Sequence, residues 1–136
     1  MRHRLRSHLS ILFAIVVLGA PSLASALQRQ ADPNSPRFQG VVAMREMLGS
    51  EGDEPLRLFI KERMAASVTA EYDEADLLEM LRTTRSAFTG SEYQGAMPEG
   101  PYTVVMMFEP KDGDSPSRLT FEIEAAAPHR FVYLDY

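Results

Sequence analysis

Residues 102–124 read YTVVMMFEPKDGDSPSRLTFEIE, and this stretch decides the fold. Tyr102 to Phe108 is a run of β-branched, aromatic and thioether side chains, the types that fit a pleated surface. It is apolar at both alternating sets of positions, which predicts a central strand. Pro110-Lys-Asp-Gly-Asp-Ser-Pro116 gathers turn formers in one place. Arg118 to Glu124 then alternates. Leu119, Phe121 and Ile123 are expected toward a core, with Thr120, Glu122 and Glu124 toward water. Two such runs around one turn predict an antiparallel pair.

Working outward, Ala125 to Pro128 reads as a second turn and His129 to Tyr136 as a last strand. Ser91 to Met97, bounded by Pro98, Gly100 and Pro101, supplies a further edge strand. Before Gly90 the apolar spacing becomes helical. Ser35-Pro36 is a start signal, a capping hydroxyl followed by a proline suited to the first turn. Phe38, Val41, Val42 and Leu48 recur behind it, with Met44 and Met47 beside them, and Gly49 and Gly52 close the segment. Asp53 is expected to cap a second helix carrying Leu56, Phe59, Ile60 and Met64 on one face. Ala65 to Tyr72 reads as a turn or irregular link. Asp73 caps a third helix with Leu77, Leu81, Thr84 and Phe88 in one stripe, and Gly90 stops it. The expectation is an α+β domain, about three N-terminal helices packed on a curved antiparallel sheet of three to four strands. That is the shape of cone-like or cystatin-like folds.

The N-terminus reads differently. Arg2, Arg4 and Arg6 precede an apolar stretch, Leu9 to Ala20, that Pro21 breaks and Ala24-Ser25-Ala26 follows. This is the pattern of a cleaved bacterial export signal. An uncleaved anchor is the competing reading, but a bilayer of ~30 Å needs about 20 apolar residues and this run is shorter. The expected boundaries are 1–26 signal peptide, 27–35 flexible leader and 36–136 a single α+β domain, periplasmic or secreted. No membrane association is expected after cleavage.

The chain carries 14 basic and 19 acidic residues. Losing Arg2, Arg4 and Arg6 with the signal leaves 11 against 19, a net charge of −8. So acidic a domain is a poor partner for nucleic acid, whose phosphates require clustered Lys and Arg. There is no cysteine, which excludes thiolate zinc sites, thiol catalysis and disulfides.

Candidate chemistry is sparse, and no cofactor is expected. His129 is the one histidine after the signal and reads as a surface or turn residue rather than a metal ligand. Asp53 and Glu54, then Asp73, Glu74 and Asp76, stand where two helices begin and are explained by the helix dipole. Asp112-Gly113-Asp114 lacks the remainder of a calcium loop and reads as a solvated hairpin turn. The methionines suit core filling better than Cu(I) binding. No Gly-x-Ser-x-Gly elbow or Ser-x-x-Lys motif is present. A cone-shaped fold could hold a pocket lined by Tyr93, Tyr102, Phe108, Phe121, Phe131 and Tyr133, although aromatics on alternating strands more often form plain core.

The runs Leu56-Arg-Leu-Phe-Ile-Lys-Glu-Arg63, Asp76-Leu-Leu-Glu-Met-Leu-Arg82, Arg118-Leu-Thr-Phe-Glu-Ile-Glu124 and Pro128-His-Arg-Phe131 carry a resemblance. In order and local pattern the chain from about Arg37 resembles a small domain at the front of exported bacterial hydrolases, among them β-lactamase-like serine hydrolases, tail-specific proteases and some α/β-hydrolases. The resemblance implies an NTF2-like accessory module with no catalytic residue of its own. In that arrangement a larger catalytic domain follows. The leading expectation is therefore an exported, non-catalytic accessory or binding domain whose partner is a hydrolase domain or a second copy of itself. The alternatives are a free-standing NTF2-like small-molecule binder or enzyme, and the N-terminal fragment of a periplasmic serine hydrolase or peptidase.

Overall fold

The computed structural model describes residues 32–136, so the expected signal peptide lies outside the described residues. Residues Asp32 to Ser35 form a turn, with Ser35 N donating to Asp32 O at 2.9 Å and Asn34 N to the Asp32 carboxylate at 2.9 Å. Ser35 then caps α1 (Pro36–Leu48) as expected, its hydroxyl accepting from Phe38 N, with a proline in the first turn. α2 (Glu54–Arg63), α3 (Ala66–Glu71) and α4 (Glu74–Phe88) follow. Four strands complete the chain, β1 (Glu92–Pro98), β2 (Thr103–Glu109), β3 (Arg118–Ile123) and β4 (Phe131–Asp135). They form an open antiparallel meander in the order β1-β2-β3-β4. Among the described residues the fold is thus α+β, with one more helix than expected.

Three expectations are corrected. Ala65 to Tyr72 is not an irregular link, because α3 occupies most of it. No residue of α3 is buried, so it offers no apolar period to read. It is held at its entrance instead, where Ala65 N donates to Phe131 O at 2.9 Å and Met64 bridges to Phe131. Asp53 does not cap α2. Its backbone is already helical and its carboxylate turns to Arg82 of α4. Finally, β4 begins at Phe131 rather than His129, because His129 sits in the left-handed region at φ 57° and cannot continue a strand.

The core lies between the helices and one face of the sheet. α2 contributes Leu56, Phe59 and Ile60, and α4 contributes Leu77, Leu78, Leu81, Thr84 and Phe88. From α1 come Val41, Ala43, Met44 and Met47. Phe38, Val42 and Leu48 are only half-buried, so the buried stripe of α1 is turned relative to the one the spacing suggested. The strands add Val104, Met106, Phe108, Leu119, Phe121, Ile123 and Phe131. β2 is internal and buried on both faces. Val105 is 2 % exposed yet stands outside the main core cluster, on the opposite face of the sheet.

Among the described residues no helix covers that opposite face. Cross-strand partners define its rows. Met97, Val105, Thr120 and Asp135 form one row, Gly95, Met107 and Arg118 a second, and Thr103, Glu122 and Tyr133 a third. Its exposed apolar surface comes from Met97 and Tyr133, 40 % and 51 % accessible.

Candidate functional site

The six aromatic residues expected to line a common pocket are dispersed. Phe121 and Phe131 are core residues in edge contact with each other, their ring centroids 5.1 Å apart, and Phe131 also meets Phe59 at 5.0 Å. Tyr102 is half-buried and packs against the core margin. Tyr133 stands on the open sheet face. Tyr93 and Phe108 come together, 5.8 Å apart and edge-on, with Phe88 of α4 4.5 Å from Phe108. These three line a surface groove of about 420 Å³ between the C-terminal ends of α1 and α4 and the β1–β2 pair.

The groove follows from how the two helices end. Gly49 closes α1, and the chain turns away through Ser50 and Glu51. α4 runs out at Phe88, and Gly90 takes φ 82° to redirect the chain into β1. Helix ends usually present unpaired carbonyls. Here several are used locally. Arg45 O accepts from Gly49 N, Met47 O from Ser50 N and the Ser50 hydroxyl, Arg85 O from the Thr89 hydroxyl, and Phe88 O from Ser91 N. The Arg85 guanidinium donates to Ser50 O and Gly52 O at 3.3 and 2.6 Å. Through Nη1 it ties the two helix ends together.

The donors around the groove are less engaged. The Arg45 guanidinium lies over the Tyr93 ring, 4.5 Å from its centroid, a cation–π contact. Among the described residues Arg45 has no ion pair, and its side chain makes no hydrogen bond. Burial pushes the Tyr93 phenol above its ordinary pKa, and the Arg45 charge partly opposes this. Ser91 Oγ is closed off from water and has no hydrogen-bond partner among the described residues. Sequence reasoning found Tyr93 and Phe108 but missed Arg45, Phe88 and Ser91. The signal available was basic side chains in the last turns of two helices, which says nothing about where those helices converge.

His129, Asp112 and Asp73 lie in two turns and at a helix start. The His129 ring pairs Nδ1 with Glu124 O at 2.9 Å inside the β3–β4 turn, which fixes Nδ1 as the protonated nitrogen. Asp112 accepts from Asp114 N, Ser115 N and the Ser115 hydroxyl, closing the β2–β3 turn on itself. These bonds hold its carboxyl below the ordinary value. Asp73 accepts from Asp76 N at the start of α4, as a cap should. Four of the methionines, Met44, Met47, Met64 and Met106, are core. Among the described residues no group of three or more histidines and carboxylates is placed to hold a metal ion. Among them, too, no helix is long and apolar enough to cross a membrane.

Comparison with protein-family models, with curated proteins and with solved structures finds no match for this chain.

Proposed function

We propose that this protein is an exported accessory domain that acts by binding, docked beside a hydrolase domain, and performs no chemistry of its own. The observation that supports this reading is the unequal use of the sheet. One face is filled by α1, α2 and α4, whereas the other has no element over it among the described residues and carries Val105 and Met107 on β2, with the exposed Met97 and Tyr133 on the outer strands β1 and β4. Methionine and tyrosine give adaptable, largely apolar contact area suited to a second domain. Charged residues on the same face, Arg118 and Glu122 of β3 and Asp135 of β4, would set its orientation.

The test is co-fractionation from the extracytoplasmic compartment of the host. The protein should elute with a hydrolase activity that the separately purified chain lacks. Met97→Glu combined with Tyr133→Glu should release it while leaving its circular dichroism unchanged. Elution of both proteins as free monomers, or hydrolysis by the purified chain alone, would overturn the proposal. A second reading, a free-standing small-molecule binder, is supported by the groove between the helix ends.

A further inference from the structure

The open face of the sheet has an apolar strip with charge at its ends. The strip is formed by Val105 and Met107 of β2 with Met97 of β1 beside them. Gly95 sits in it opposite Met107, and a Cβ there would meet nothing within 4 Å, so the surface has a notch next to the methionines. Glu92 and Glu109 face each other across β1 and β2 at one end. Glu122 lies at the other end, paired with Tyr133, and Asp135 stands on the outer strand. β2 runs from Thr103, the partner of Glu122, to Glu109, and its seven residues set the two ends about 20 Å apart. Against these four carboxylates the strand positions of this face hold one cation, Arg118, which leaves a formal charge of −3. All five are exposed, and none is in an ion pair among the described residues.

The charges discriminate between occupants. A second copy would bring −3 against −3, and like-charge juxtaposition across an interface is costly. Resting on the docking reading above, we infer that the occupant is a segment of the hydrolase domain that is apolar along its middle and basic at both ends. It lies along the strands, with aliphatic side chains on Met97, Val105 and Met107 and one of them in the notch at Gly95. Its Lys or Arg side chains meet Glu92 and Glu109 at one end and Glu122 and Asp135 at the other. A cation between Glu92 and Glu109 also removes a repulsion that the free domain carries. A helix of about 13 residues has the required length at 1.5 Å per residue. The apolar strip supplies contact area, and the carboxylates supply direction and attraction at a distance.

The experiment titrates the 15N-labelled protein with a helical peptide of about 14 residues, leucine and alanine along its middle and two lysines at each end, and separately with a twin carrying glutamates in place of the lysines. The expected result is saturable movement of the Met97, Val105, Met107 and Thr120 amide signals with the lysine peptide, and binding about tenfold weaker with the glutamate twin. Glu122→Gln combined with Asp135→Asn, both at exposed positions, should weaken the lysine peptide about fivefold, the size expected for two exposed pairs, and leave the rest of the spectrum superimposable. Salt near 1 M, where the Debye length is about 3 Å, should bring the two affinities together. Equal binding of both peptides on this face at low salt would overturn the basic assignment and leave the docking reading standing. Movement of the same signals on dilution without peptide would identify a second copy as the occupant and overturn it too. No movement on this face with millimolar lysine peptide would also overturn it, while the docking reading still answers to co-fractionation.

Discussion

Gly40 of α1 lies against the ring of Phe121, so closely that a Cβ built on it would stand 2.8 Å from Phe121 Cε2. Phe121 is fully buried, and its ring is held from another side by Phe131 at 5.1 Å. The absence of a side chain at this point sets how near α1 can come to β3. Gly40→Ala gains about 1 kcal/mol in helix propensity but forces a clash worth roughly 1–3 kcal/mol in a packed core. The expected outcome is net destabilisation of about 1 kcal/mol by urea denaturation. Adding Phe121→Leu should make the Gly40→Ala change neutral or favourable, because the obstructing ring edge is gone. Equal effects of Gly40→Ala in both backgrounds would show that the contact is not what sets this spacing.

Asp53 joins the start of α2 to the middle of α4 through Arg82, whose Nε donates to Asp53 Oδ1 at 3.0 Å and whose second nitrogen meets the other oxygen. The hydrogen bonds from Arg82 hold the Asp53 carboxyl below its ordinary value. A carboxylate depressed in the folded state stabilises the fold above its unfolded pKa, and that contribution fades as pH falls through the folded pKa. Both partners are well exposed, so the effect on stability is small. Carbon-detected NMR should show Asp53 titrating below a typical aspartate, and Arg82→Gln should return it upward. An unchanged Asp53 titration in that variant would contradict the pairing.

Glu92 and Glu109 stand directly opposite one another at the end of the β1–β2 pair, both exposed. Like charges in that position repel. Glu109→Lys should therefore stabilise the domain by about 0.2–1 kcal/mol, with the gain shrinking as salt is added. Thermal unfolding at two ionic strengths checks both parts. A gain insensitive to salt would point to propensity or packing instead of charge.

The Ser91 hydroxyl is shut away from water without a partner among the described residues. An unsatisfied buried hydroxyl costs about 1–3 kcal/mol in desolvation, so its removal carries little penalty. Ser91→Ala is expected to leave stability unchanged or raise it by up to about 1 kcal/mol, where an ordinary buried truncation would lower it. A clear loss in denaturant midpoint would reveal a hydrogen-bond partner, most simply a buried water.

The two amphipathic helices and the β3 alternation were legible because one period governs each. Leu56, Phe59, Ile60 and Met64 are all buried, as are Leu77, Leu81, Thr84 and Phe88, and as are Leu119, Phe121 and Ile123. α1 was placed correctly but turned, because Phe38, Val41, Val42, Met44, Met47 and Leu48 leave it apolar nearly all round and no single face stands out. α3 escaped because Ala66-Ser-Val-Thr-Ala-Glu71 has no apolar stripe, and its position is fixed by a distant backbone bond to Phe131. The pocket aromatics could be named but not assembled. Tyr93 and Phe108 meet only because β1 and β2 pair in one register, and that register is interrupted by a bulge between Tyr93 and Gly95. Arg45 reaches Tyr93 across about 50 positions of chain, a juxtaposition that no local pattern encodes.

The short backbone link from Met64 and Ala65 to Phe131 has a bearing on how copies of this molecule can meet. β4 is an outer strand, and outer strands invite a neighbour to extend the ladder. Here the first rung of that ladder is already taken by the protein's own α2–α3 junction, and only the last few residues of β4 stay free. The opposite border is interrupted by Gly95 at φ 149° and ends at Pro98, which has no amide hydrogen to offer. Growth by strand addition is blunted on both borders, so contacts with other chains are steered onto the broad surfaces of the molecule.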